Sequence, residues 1–201
     1  NIFERWILSG YKLIQSRDAF VYHLTCRGHR WNEQVGKDDD YYQKASYKAA
    51  REYIRKWGSW IKNDEFQHPI IKPKYNIGYV VKNCNLEVMR ALEPWCDTFY
   101  SDDEMGVLEA SYYDIEQPQT KFDLKQRLKV TKYSTLDNDI LVEFDAKSLN
   151  NQSVMMLQNL PEIIKESGEV GTFELDVFKI TINSMKTYER QMIQPLFKYT
   201  F

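Results

Sequence analysis

The sequence predicts an α/β protein, and three observations carry that expectation. Residues 77–100 alternate short runs of β-branched and aromatic residues with an amphipathic segment, and residues 140–182 do so again, which is the pattern of β-α-β units. Apolar residues around 50–61 recur at helical spacing. With 201 residues, the chain is long enough for one mid-sized domain, or for one small domain plus part of another.

Taken in order, Ile2, Phe3, Trp6, Ile7 and Leu8 form an apolar stripe with Glu4, Arg5 and Ser9 off it, which predicts a helix stopped by Gly10. Tyr11–Ile14 and Ala19–Tyr22 read as short strands joined by a polar turn at 15–18. From Leu24 to Tyr42 no period survives. Arg27, Gly28, His29, Arg30 and the run Asp38-Asp39-Asp40 predict an irregular, solvated loop there. In the helix that follows, Ala50, Tyr53, Ile54, Trp57 and Ile61 share one face, while Lys44, Lys48, Arg51, Arg55 and Lys56 lie elsewhere. Gly58 falls late in it, and Pro69 and Pro73 close the region. A domain boundary is therefore expected near Pro73, dividing the chain into 1–72 and 73–201.

Beyond the boundary the pattern predicts a strand at Ile77–Val81, a helix at Leu86–Leu92 and a strand at Thr98–Tyr100. A second unit follows: a strand at Ile140–Phe144, a helix at Ser153–Lys165 and one or two strands within Phe173–Ile182. Val154, Leu157, Leu160, Ile163 and Ile164 carry the helical spacing in that unit.

Composition narrows the function classes. A net charge of -2 argues against a general nucleic-acid binder. Three scattered cysteines, Cys26, Cys84 and Cys96, lack metal-site spacing and point to a reducing, cytoplasmic setting. No apolar run approaches the roughly 20 residues needed to span a bilayer. The opening at Asn1, already inside an amphipathic helix, predicts a cleaved or truncated chain.

Two constellations near the start carry a resemblance. Phe3-Glu4-Arg5-Trp6, Gly10-Tyr11-Lys12-Leu13 and Val21-Tyr22-His23 together resemble the end of the catalytic domain of a family-2 glycosyltransferase, which has the GT-A fold. Tyr53-Ile54-Arg55-Lys56-Trp57-Gly58, followed by Glu65-Phe66 and His68-Pro69, is similar to the Lys-Trp-Gly segment of related bacterial and phage enzymes. The resemblance implies that residues 1–72 close a GT-A-like domain, and that 73–201 form an appended α/β domain. It implies transfer of a sugar from a nucleotide-diphospho-sugar to a glycan or other hydroxyl acceptor. The catalytic base and an Asp-x-Asp motif are then expected upstream of Asn1, leaving no catalytic residue in this chain.

The same resemblance implies His23 as a ligand for Mn2+ or Mg2+, because a diphosphate leaving group calls for a bridging cation. Arg27, His29 and Arg30 become candidates for holding the donor diphosphate, and Trp31 and Trp57 for stacking on sugar. Each has a plainer reading from the residues alone. A histidine at a strand end is often only hydrogen-bonded, two arginines in a loop can be solvated, and Trp57 has the period of a packed anchor. Glu4 reads as a first-turn carboxylate favoured by the helix dipole.

The acidic run Ser101-Asp102-Asp103-Glu104 and the segment Phe144-Asp145-Ala146 each follow a predicted strand, as metal or sugar ligands do and as solvated turns also do. No Walker, Rossmann, HExxH or GxSxG motif occurs. Two alternatives stay open: a non-catalytic glycan- or partner-binding module of viral origin, with a protein partner on 73–201, and a second, degenerate glycosyltransferase domain in the distal part. The metal assignment has a direct check. In the full-length protein, His23→Ala is expected to abolish Mn2+-dependent sugar-nucleotide turnover, and unchanged turnover overturns the assignment.

Overall fold

The computed structural model describes residues 2–14, 16, 18, 31–32, 37–38 and 40–193. Helix α1 (Ile2–Leu8) ends as its sequence predicts. Gly10 takes φ 88°, its N–H bonds Ile7 O at 2.9 Å, and Tyr11 N–H bonds Trp6 O at 3.0 Å, the Schellman closure that glycine permits. The expected strand at Tyr11–Ile14 does not form. Tyr11 and Ile14 are exposed, and no strand among the described residues pairs with them. Ala19–Tyr22 lie outside the described residues. The stretch read as an irregular loop holds two short antiparallel strands, β1 (Trp31–Asn32) and β2 (Lys37–Asp38).

Helix α2 (Asp40–Trp57) leads into the α/β layer. Its strands are β3 (Ile77–Lys82), β4 (Thr98–Ser101), β5 (Leu128–Val130), β6 (Ile140–Asp145), β7 (Gly171–Leu175) and β8 (Phe178–Ile182), in the order β5-β4-β3-β6-β8-β7. The first four are parallel, and the hairpin β7–β8 runs with β8 antiparallel to β6. The helices are α3 (Leu86–Leu92), α4 (Val107–Glu116), α5 (Leu124–Arg127), α6 (Asn151–Gln158) and α7 (Leu160–Ser167). The sequence predicts one helix over Ser153–Lys165. The chain instead breaks at Asn159, because Pro161 at the start of α7 supplies no N–H to continue α6.

One face of the sheet carries the main core. Ile77, Tyr79 and Val81 of β3 and Ile140, Val142 and Phe144 of β6 pack there with Met89, Leu92, Tyr112, Leu124, Leu157 and Ile164. The opposite face is thin, built on Val80, Tyr100 and Leu141 with Leu136 over them. Gly78 belongs to that face. A Cβ there would stand 2.5 Å from Asn138 Oδ1, so only glycine lets the Asn138 carboxamide lie against β3. Asn138 then accepts from Tyr100 Oη at 2.8 Å and donates to Asn76 Oδ1 at 2.6 Å.

Helix α2 joins this layer through buried charge. Glu93, fully buried in the turn after α3, accepts from Arg55 Nη2 at 2.7 Å, Arg127 Nε at 2.7 Å and Tyr112 Oη at 3.0 Å. Glu116 at the end of α4 accepts from Arg51 Nε at 2.7 Å and Arg55 Nη2 at 2.6 Å. These contacts cross the boundary expected at Pro73. Burial, and then the charge of Glu93, push the Tyr112 phenol above its ordinary range, which keeps it a donor to Glu93 while it accepts from Arg51 Nη2 at 2.6 Å. Beyond α2, Gly58 at φ 71° turns the chain, and Lys74 passes over it to reach both oxygens of Asp97 at 2.8 Å.

Burial pushes the Glu93 carboxyl up, but the Arg127 and Arg55 guanidiniums pull it down more strongly, leaving it below its ordinary 4.5. A lowered folded value means that this stabilisation is complete above the ordinary value and disappears as pH falls through the folded one. Glu93→Gln, which keeps the shape and removes the charge, is expected to cost about 3–5 kcal/mol in urea unfolding at pH 7. Its penalty should shrink below pH 4.5. A pH-independent penalty would show that Glu93 does not act through its charge.

Candidate functional site

The strand order reverses at β3. The chain adds β4 and β5 on one side of it, then returns to lay β6 on the other. In open sheets of parallel strands, ligands collect outside the carboxyl ends at such a reversal, because the loops that leave the two strands diverge. Here those ends hold Asn83 after β3, Ser101-Asp102-Asp103 after β4, and Asp145-Ala146-Lys147 at the end of β6.

Local chemistry ties the three loops together. Asn83 adopts φ 52°, a left-handed conformation that asparagine tolerates better than most residues. Its N–H bonds Asp102 Oδ2 at 2.7 Å, and the Cys84 N–H bonds Asp102 Oδ1 at 3.3 Å. The Asn83 carboxamide reaches across to Asp145 Oδ2 at 2.8 Å, bridging the β3 and β6 ends. Asp145 Oδ1 takes the Lys147 N–H at 2.9 Å, and Asn85 caps α3 by accepting from Val88 N–H at 2.9 Å. Asp103 caps the start of α4 through Leu108 N–H at 2.7 Å, and Ser101 donates to Glu109. Asp102 and Asn83 are exposed and Asp145 is half-buried, so each has lone pairs or N–H groups turned toward solvent.

Asp102 stands nineteen residues after Asn83, at the end of the second strand. An acidic residue about 20 positions beyond the first loop, at that place, is where dinucleotide-binding sheets hold a ribose hydroxyl. The first loop, Lys82-Asn83-Cys84-Asn85, contains no glycine, so this rim lacks the close backbone cradle for a pyrophosphate that a Gly-rich loop makes. Lys147, exposed beside Asp145, and Lys82, exposed at the end of β3, bring positive charge to the rim.

Among the described residues, Cys84 is the one thiol on the rim. Burial raises its pKa, Asp102 and Glu109 add to the rise, and the value reaches about 12. Such a thiol stays protonated near neutral pH and is a poor nucleophile.

The residues singled out from sequence fare differently. His23, Arg27, His29 and Arg30 lie outside the described residues, and Trp31 belongs to β1. Trp57 is 5% exposed, with Lys56 Nζ 5.2 Å from its ring centre and Tyr53 tilted against it, which is the position of a packed anchor. Glu4 is buried and accepts from the Tyr53 hydroxyl. Asp102, Asp103 and Asp145, which the sequence marks as acidic residues following strands, do converge on one rim. Asn83 went unmarked, although an Asn-Cys-Asn step between a strand and a helix was its visible signal. Among the described residues, no three His, Cys, Asp or Glu side chains converge to hold a metal ion. Among the described residues, no helix is long and apolar enough to cross a membrane.

A second concavity, of about 540 Å3, lies between α1 and the turn at 66–69. Phe3, Trp6, Tyr11 and Phe66 line it with aromatic surface, and Gln67 and His68 bring polar groups to its edge. Asp64 builds that turn by accepting from Phe66 N–H at 2.9 Å and His68 N–H at 2.8 Å.

Comparison with protein-family models, with curated proteins and with solved structures returns no match. The thiol offers a check on the rim as described. Peptide-resolved alkylation of the folded protein is expected to modify Cys84 far more slowly than free cysteine at pH 8, and to accelerate as pH approaches 12. Rapid labelling at neutral pH would contradict the half-buried, acid-flanked placement.

Proposed function

We propose that the chain is part of a glycosyltransferase that moves a sugar from a nucleotide-diphospho-sugar to a hydroxyl acceptor, and that its distal α/β layer binds the nucleotide portion. The observation that carries this reading is the strand reversal at β3, with Asn83, Asp102 and Asp145 meeting at the carboxyl ends. The resemblance of Phe3–His23 and of Tyr53–Gly58 to family-2 enzymes supports the reaction class.

On this reading each rim group has a task. The Asp102 carboxylate, oriented by the Asn83 and Cys84 N–H groups, accepts from ribose hydroxyls or from a base N–H. Asn83 supplies both a donor and an acceptor, and Asp145 keeps its carboxamide aimed across the crevice. Lys147 offers positive charge to a phosphate leaving the ribose. The cation implied by the resemblance is left to His23 and to carboxylates upstream of Asn1, since the described residues do not compose a metal site.

The aromatic cavity favours a second reading. Sugar rings present apolar C–H faces and polar edges, and Trp6, Tyr11 and Phe66 beside Gln67 and His68 offer the complementary surface of a glycan-binding module.

One titration separates the two. UDP and GDP, with and without Mn2+, are expected to shift amides at 83–85, 102–103 and 145–147, and Asn83→Ala or Asp102→Asn should weaken binding by about tenfold or more. Absence of binding by every nucleoside diphosphate sinks the nucleotide reading. Oligosaccharide binding that is lost in Trp6→Ala, without nucleotide binding, belongs to the module.

A further inference from the structure

We propose that the cleft between α2, α3 and the end of α4 is an anion site that takes a phosphate or diphosphate group. This cleft lies at the amino ends of the strands, beside the turn that precedes β4, and so at the opposite end of the sheet from the rim of Asn83 and Asp145. It does not depend on the nucleotide reading.

The charge count is lopsided. Lys44, Lys48, Arg51, Arg55 and Arg90 line the cleft with a single carboxylate, Glu116. That carboxylate is already taken, because its Oε1 accepts from both Arg51 and Arg55. Behind the floor, Glu93 is shared by Arg55 and Arg127, and Glu52 stands 3.3 Å from Arg55, so cations still outnumber carboxylates in the wider group. Lys44, Lys48 and Arg90 pair with no carboxylate among the described residues. Lys44 and Lys48 are four apart on one helix, where like charges repel. Arg90 arrives from another helix, its guanidinium carbon 5.9 Å from the ring centre of Tyr47, while Arg51 is 5.4 Å from the same ring.

Three unpaired cations gathered over a floor of two buried, fixed guanidiniums focus positive potential into a concave space. An anion would relieve the repulsion that the fold leaves in place. The cleft holds about 200 Å3, below the roughly 300–1,000 Å3 of sites for whole drug-sized ligands. It therefore suits a small anion or the charged end of a larger molecule. Arg90 can grip phosphate oxygens in pairs and the lysines act as point charges, which is the usual division of labour at phosphate sites.

The test uses the full 201-residue chain. Pyrophosphate is titrated against sodium chloride at matched ionic strength, read by thermal midpoint and by amide shifts. The expected result is a saturable rise in midpoint with pyrophosphate, absent with chloride, and shifts confined to 44–51, 90 and 116–119 rather than to 83–85 and 145–147. The double variant Lys48→Gln/Arg90→Gln, whose residues are both exposed and outside the buried ion-pair network, should keep the fold and weaken binding at least tenfold. Tighter binding of pyrophosphate than of a sugar monophosphate identifies free diphosphate as the source. Equal binding identifies the phosphoryl end of a larger molecule. Equal effects of chloride and pyrophosphate overturn the proposal, as does undiminished binding by the folded double variant.

Discussion

The architecture depends on a carboxylate with no access to water. Glu93 is bonded by guanidiniums from α2 and from the end of α5 and by a phenol from α4, so a single side chain holds three separate segments in register. Removing such a charge from water costs several kcal/mol, recovered only when geometry is good and the remaining lone pairs are satisfied. Here they are satisfied, and the donors are themselves used: Arg127 also reaches the Glu93 and Cys96 carbonyls, and Arg55 the Glu116 carboxylate. An arrangement of this kind favours one docking geometry over neighbouring ones. An apolar contact could slide by a fraction of a helical turn, whereas displaced guanidiniums would leave charges buried alone.

That fixed seat has two consequences for where ligands can act. It places α2 beside the turn that precedes β4, at the amino ends of the parallel strands, while the carboxyl ends carry the rim at the opposite end of the sheet. It also immobilises two arginines at the bottom of a cleft whose other cations are free. The rim and the cleft thus share a scaffold while facing opposite ends of β3 and β4, one rich in hydrogen-bond acceptors and the other in cations.

Much of the layer was legible because burial on one face follows local period. Ile77–Lys82, Leu86–Leu92, Thr98–Ser101 and Ile140–Asp145 lie within a residue of their expected bounds, since continuous apolar runs mark parallel strands buried on both faces. The stretch from 105 to 139 carries no period that predicts an element. Its helix α4 buries Tyr112 and Glu116, an aromatic and a carboxylate that no hydrophobic period reveals. Arg51 and Arg55 lie off the apolar face that the period of α2 marks, yet both are buried. Their buried carboxylate partners, Glu93 and Glu116, lie 38 to 65 residues away, and a pairwise fit of charges over that distance leaves no trace in local spacing. The site shows the same division. Asp102, Asp103 and Asp145 were visible as acidic residues after strands, but only the reversal of strand order joins them, and that order is set by long-range pairing. His23, Arg27, His29 and Arg30 lie beyond the described residues.

The glycine that ends α2 reaches further than its own turn. Because Gly58 has no side chain, Lys74 lies flat across it, and the Lys74 backbone in turn receives the Tyr188 N–H at 2.7 Å and offers its own N–H to Glu189. The short turn Glu189–Ile193 packs on both α1 and α2. Every strand of the sheet is complete by Ile182, yet the entrance to the sheet is latched by residues that come after it. A proteolytic cut just past Ile182 would leave the sheet whole and α2 still seated on Glu93 and Glu116, while α1 would lose the turn that packs on it.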